Sequence, residues 1–156
     1  MFFLKKKKAF TLIEITIVIS LLALILTIAV PYGLRFFRVE RLNSASREIL
    51  EALRLSQAQA IGQKHDDQFG VYIGPEDYTL FRGSSYLERT QSYDQSYPLS
   101  SQIELSGLNE IVFGKLTGLP SQTGEIILRS GARENVIRIN DQGLTSLELN
   151  VTIGTP

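Results

Sequence analysis

Few side chains in this chain could do chemistry, and the first of them sits in surroundings that do not suit it. Glu14 is the one charged residue among the 25 from Phe10 to Leu34. An ionised side chain inside a membrane helix costs about 2.5–3.5 kcal/mol, so Glu14 needs a partner. Either it snorkels back toward Lys8, six residues away, or a cation reaches it from elsewhere. His65, the only histidine, lies beside Asp66 and Asp67. That trio could do acid–base work or hold a metal, but adjacent side chains at a helix end diverge, and a solvated turn is expected. Asp141-Gln142-Gly143 lacks the spaced oxygen ligands of a calcium loop and reads as a hairpin turn. The stretch from Gly114 to Gly118 has neither the lysine nor the helix start that phosphate binding needs. The chain is therefore expected not to be an enzyme, and no cofactor or metal is predicted.

Two further sets of residues could meet a partner. Tyr86, Tyr93 and Tyr97 fall in a Ser- and Gln-rich stretch; tyrosine is favoured in protein contacts, yet loop tyrosines also cover the edges of small sheets, and that reading is preferred. Arg129, Arg133 and Arg138 are the nearest approach to a nucleic-acid patch, but Glu125 and Glu134 lie among them. The formal net charge of zero hides an asymmetry: from His65 onward there are six basic and twelve acidic residues, a net −6. Non-specific nucleic-acid binding depends on Lys and Arg neutralising phosphates, so this charge argues against it.

The elements that must carry these residues follow from periodicity. As helix, Phe10 to Leu34 would extend about 37 Å at 1.5 Å per residue, more than a hydrocarbon core of about 30 Å. Its length exceeds the 7–15 apolar residues of a secretory signal, and no A-x-A-like site follows. Beyond it Leu42, Ala45, Ile49, Ala52, Leu53, Ser56 and Ala60 recur at three- and four-residue steps, an apolar, small-residue face. One long helix from about Phe10 to about Lys64 is predicted, with a fault near Pro31 and Gly33 and an end at Gly62 and the polar run 63–67.

After that the period becomes two. Phe69–Ile73 and Tyr78–Arg82 flank a hairpin loop, Gly74-Pro75-Glu76-Asp77. A long loop is expected from Gly83 to Ser101, short strands at 103–105 and 111–113, and a second loop from Gly114 to Gly124. Strands at 125–130, 135–140 and 144–151 complete a carboxy-terminal meander. A helix followed only by strands predicts an α+β domain, the helix covering an antiparallel sheet. With 156 residues there is room for one membrane segment and one modest domain, and with no cysteine there is no disulfide.

The run Lys5-Lys6-Lys7-Lys8-Ala9-Phe10-Thr11-Leu12-Ile13-Glu14, followed by Ile15-Thr16-Ile17-Val18-Ile19, closely resembles the amino-terminal signature of type IV prepilins and type II secretion pseudopilins. The resemblance implies cleavage between Ala9 and Phe10 by a prepilin peptidase and N-methylation of the new Phe10 amine. It also implies a role for Glu14 in neutralising the amino terminus of a neighbouring subunit. Ala9 departs from the glycine usual in these families. The α+β pattern is the pilin fold, and the strand order over residues 45–150 resembles H-type pseudopilins and related minor pilins.

The expected organisation is thus a leader, 1–9; a transmembrane and assembly half-helix, 10–34; an amphipathic half-helix, 35–64; and an exported β-rich domain, 65–156. The resemblance implies a minor pilin or pseudopilin, single-pass in the inner membrane with its globular domain outside the cytoplasm, and incorporated into a type IV pilus or a secretion pseudopilus. Its implied partners are the peptidase, other pilin or pseudopilin subunits and an inner-membrane assembly platform. The alternatives are a DNA-uptake minor pilin and a monomeric membrane-tethered binding module.

Overall fold

The computed structural model describes residues 10–62 and 67–152. The chain divides into two compact units, Met1–Phe37 and Arg38–Pro156. One helix, α1 (Leu12–Ile61), begins in the first and ends in the second. Eight strands follow: β1 (Phe69–Ile73), β2 (Asp77–Arg82), β3 (Gln95–Pro98), β4 (Glu104–Gly107), β5 (Glu110–Phe113), β6 (Gly124–Ser130), β7 (Arg133–Ile139) and β8 (Thr145–Thr152). A long amino-terminal helix followed by an antiparallel β domain is an α+β architecture, consistent with the pilin fold.

In the first unit, the stretch Leu12–Val30 is long and apolar enough to cross a membrane, and none of its side chains is buried within the protein. Its hydroxyls are turned inward to the backbone. Thr16 donates to the Ile13 carbonyl at 2.8 Å, Ser20 to Thr16 at 2.7 Å and Thr27 to Leu24 at 2.7 Å, so each of these hydroxyls is satisfied without water. The predicted fault at Pro31 does not interrupt the helix, which is continuous through Pro31 and Gly33.

In the second unit, the predicted small-residue face of α1 is the buried one: Leu42, Ala45, Ile49, Ala52, Leu53, Ser56 and Ala60 are all buried, together with Ser46 and Leu50. The sheet arrangement differs from expectation. There are two four-stranded antiparallel sheets, ordered β3-β2-β1-β5 and β4-β6-β7-β8. The first joins β1 to β5 across some forty residues, with Phe69 opposite Phe113 and Val71 opposite Ile111. The second is the predicted meander β6-β7-β8 with β4 added on its open side. Alternating residues from both sheets, among them Val71, Ile111, Phe113, Ile126, Leu128 and Ile137, share one core with α1.

Polar ties fix the helix against each sheet. The Asn135 amide on β7, fully buried, donates to Ser46 Oγ at 2.9 Å and to Asn43 Oδ1 at 3.1 Å. Ser46 itself donates to the Leu42 carbonyl at 2.7 Å. Toward the first sheet, Ser56 Oγ lies 3.4 Å from the Gly70 carbonyl it donates to. At the helix end, the Leu116 amide caps the Ala60 carbonyl at 3.0 Å, and the Gln57 amide donates to the Gly118 carbonyl at 3.0 Å.

The predicted loop from Gly83 to Ser101 also needs correction, because it contains β3 and a single 3-10 turn, Gln91–Tyr93. All four β3 residues are exposed, so the strand shows no burial alternation to read. Its identity comes from pairing with β2, where Tyr78 faces Tyr97 and Thr79 faces Ser96. The Thr79 and Ser96 hydroxyls lie 2.7 Å apart across that pair.

Candidate functional site

The amino-terminal site is built on the first turn of α1. Thr11 precedes the helix, its carbonyl accepting from the Ile15 amide at 3.2 Å and its hydroxyl from the Glu14 amide at 3.3 Å. That is an N-cap, and Glu14 stands three residues on, the spacing of a capping box. A carboxylate in the first turn is also favoured by the partial positive charge of the helix start. Phe10 and Glu14 are both exposed. Among the described residues no side chain pairs with the Glu14 carboxylate, while its own backbone is held by Thr11. Ala9, the other side of the expected cleavage point, lies outside the described residues, as do Lys8 and the whole leader. The capping role of Thr11 was missed in the sequence, although Thr-x-x-Glu before an apolar run is a readable signal.

The remaining candidates resolve into structure. His65 and Asp66 lie outside the described residues, and among the described residues no group of three or more His, Cys, Asp or Glu is placed to hold a metal ion. Asp67 instead accepts from Arg82 Nε at 2.8 Å. That hydrogen bond, against an opposing effect of burial, holds its carboxyl below the usual 3.8. Asp141-Gln142-Gly143 is a turn: Asn140 Oδ1 accepts from the Gln142 amide at 3.1 Å and the Leu144 amide at 2.8 Å. The Gly114–Gly118 stretch folds over the end of α1, where Gly118, at φ +63°, packs directly on Ile61.

The three tyrosines are packing residues. Tyr86 stacks on Tyr72 at 4.0 Å and meets the edge of Phe81, with the Arg89 guanidinium 3.7 Å from its ring centre. Arg89 also binds Asp94 at 2.7 Å. Tyr93 lies under Arg82 at 4.6 Å, and Tyr97 stacks on Tyr78 at 5.2 Å. The segment between β2 and β3 thus forms a strap over the outer face of the first sheet. Its two tyrosine–arginine–carboxylate stacks depend on tertiary placement and carry no local sequence signal. Tyr78, buried beneath Tyr97, has its hydroxyl pKa pushed up to about 12, by burial first and then by the charge of Glu48.

The three arginines considered for nucleic acid do not form a free basic patch. Arg129 binds Glu134 at 2.9 Å, and Arg138 binds Glu125 at 2.7 Å and pairs with Glu148 as well. Arg133 is exposed and in no ion pair among the described residues.

No curated protein and no solved structure matches this chain. Residues 4–30 match the family model described as the prokaryotic N-terminal methylation motif, a match that covers the capped helix start, Glu14 and the apolar stretch to Val30.

Proposed function

We infer that this protein is a minor pilin or pseudopilin: a non-enzymatic subunit of a type IV pilus or a secretion pseudopilus, assembled through its amino-terminal helix. The observation that carries this reading is the methylation motif over residues 4–30, coincident with an unburied apolar helix whose one charge is Glu14. In this reading prepilin peptidase removes 1–9, cutting between Ala9 and Phe10, and the Phe10 amine is methylated. Residues 10–34 then hold the subunit in the inner membrane, and the β domain stays outside the cytoplasm. During assembly Glu14 meets the amino terminus of a neighbour, which supplies the cation an apolar bundle would otherwise deny it. Thr11 keeps that turn helical while this happens.

The pairing of Arg129 and Arg138 with glutamates favours a protein partner over DNA for the β domain. Two measurements test the reading. Intact mass of the protein from cells with active peptidase should show a chain beginning at methylated Phe10; a chain beginning at Met1 overturns it. Glu14→Ala should still insert in the membrane and fail to enter filaments; normal incorporation would favour a tethered monomer instead.

A further inference from the structure

In the globular unit, an open groove of about 530 Å³ runs between the outer face of α1 and the edge strand β3. Its apolar floor is Tyr78, Leu80 and Leu55, and Tyr97, 42% exposed, forms the lip. Its helical wall carries Glu40, Glu48 and Glu51 against the single cation Arg47.

The same domain shows what chemistry completes such a place. Twice it seats an arginine between a tyrosine ring and a carboxylate, at Tyr93–Arg82–Asp67 and Tyr86–Arg89–Asp94. The groove has the tyrosine and the carboxylates, but among the described residues no guanidinium lies over Tyr97. Glu51 is held only by an exposed contact to Arg54 at 3.5 Å, and exposed pairs of that kind are weak and readily exchanged.

Cations suited to fill it are on α1 itself. Arg38 and Arg41 are exposed and in no ion pair among the described residues. Three residues apart, they share a helix face, as Glu48 and Glu51 do. Within one chain the two pairs are ten residues apart, about 15 Å along the axis, too far to meet.

We propose that this groove takes the Arg38–Arg41 turn of a second copy of this chain, with one arginine over Tyr97 and both facing Glu48 and Glu51. The filament reading requires this contact to repeat head-to-tail, so that it propagates; an antiparallel pair of helices making the same contact twice would close instead. It rests on the assembly reading above and names the surface that would set register between globular units. Guanidinium is the group for this site, because its plane stacks on tyrosine while its fork binds carboxylate.

The test uses the full chain in cells that assemble it. Glu48→Arg with Glu51→Arg should lower filament incorporation about tenfold or more, as should Arg38→Glu with Arg41→Glu. Combining all four should restore it, which a folding defect could not do, and Arg133→Glu should have no effect. The chain has no cysteine, so Arg41→Cys with Glu51→Cys gives a clean cross-link. The two sites are beyond the roughly 7 Å Cα reach of a disulfide within one chain, and chains carrying either cysteine alone should form none. A ladder of products at two, three and more times the chain mass, together with rescue by the four-residue swap, supports the contact, and a product that stops at twice the chain mass is a closed pair and overturns it. A bond to a different protein, absence of rescue, or normal incorporation of the reversed variants without cross-linking overturns it and leaves the filament reading intact. Failure of the wild-type chain to enter any filament overturns the assembly reading itself, and this contact with it.

Discussion

Asn135 is a fully buried polar residue on β7, followed two and four residues on by buried Ile137 and Ile139, and its removal should loosen the second sheet from α1. In Asn135→Ala the amide bonds at 2.9 Å to Ser46 and 3.1 Å to Asn43 disappear. Each is worth about 1 kcal/mol net. Ser46 keeps its own bond to the Leu42 carbonyl, and half-buried Asn43 can turn to water, so the acceptor left without its donor in the interior is Ser46 Oγ. The void left by the amide adds about 1 kcal/mol. The expected loss is therefore about 2–3 kcal/mol, a fall in Tm of about 10 °C for a unit of this size. Asn135→Leu refills the space and should cost about 1 kcal/mol less. The assay is denaturant and thermal unfolding of the full chain in detergent, followed by tyrosine circular dichroism, since the chain has six tyrosines and no tryptophan. A double cycle with Ser46→Ala should show coupling of about 1 kcal/mol. Stability of Asn135→Ala within about 0.5 kcal/mol of wild type, or strict additivity in that cycle, would refute the reasoning.

Three further outcomes are expected. Gly118→Ala places a Cβ at φ +63° and 2.5 Å from Ile61 Cγ1; the left-handed backbone costs about 1–2 kcal/mol, and because Ile61 is half exposed it can yield, so unfolding should shift by about that much and no more. Asp67, whose carboxyl is lowered by Arg82, is more acidic folded than unfolded, so its contribution is in place above pH 3.8 and is lost as pH falls through the lower folded value. Melting curves of wild type and Asp67→Asn should therefore converge only in acid, and a constant difference down to the lowest pH would count against the pair. Tyr78, raised from 10 to about 12, does the opposite: stability is intact below pH 10 and falls between 10 and 12. Tyrosinate absorbance should show one late-titrating ring that Tyr78→Phe removes, and loss of a ring titrating normally would contradict its burial.

How far the sequence carried depended on whether each feature was local. The buried face of α1 was legible because Leu42, Ala45, Ile49, Ala52, Leu53, Ser56 and Ala60 repeat at helical spacing over five turns, and packing follows that period directly. β1, β2 and the meander β6-β7-β8 were legible for the same reason in period two. Alternation says which face of a strand is buried but not which strand lies beside it, so the split into two sheets and the pairing of β1 with β5 were invisible. β3 was hidden because an edge strand with four exposed residues has no hydrophobic pattern at all. Glu14 stood out by its cost in an apolar run, whereas Thr11, which caps its turn, was passed over as part of a signature. The arginine stacks on Tyr86 and Tyr93 required a fold before they could be seen.

The distribution of satisfied charge bears on what each element is for. In the β part of the chain four of five arginines, Arg82, Arg89, Arg129 and Arg138, already hold carboxylates. On the second half of α1 only Arg54 does, at 3.5 Å; Arg38, Arg41 and Arg47 are in no ion pair among the described residues. The first half of the helix repeats the contrast in apolar terms, since every side chain from Leu12 to Val30 is uncovered. A large exposed apolar stretch in a folded protein marks a surface that a membrane or a partner covers. Here bare hydrocarbon and three unpaired guanidiniums lie on one helix, whereas of the arginines in the sheets Arg133 alone is in no ion pair among the described residues. Under the proposed assembly, exposed Arg38 and Arg41 are the groups a neighbouring chain would meet.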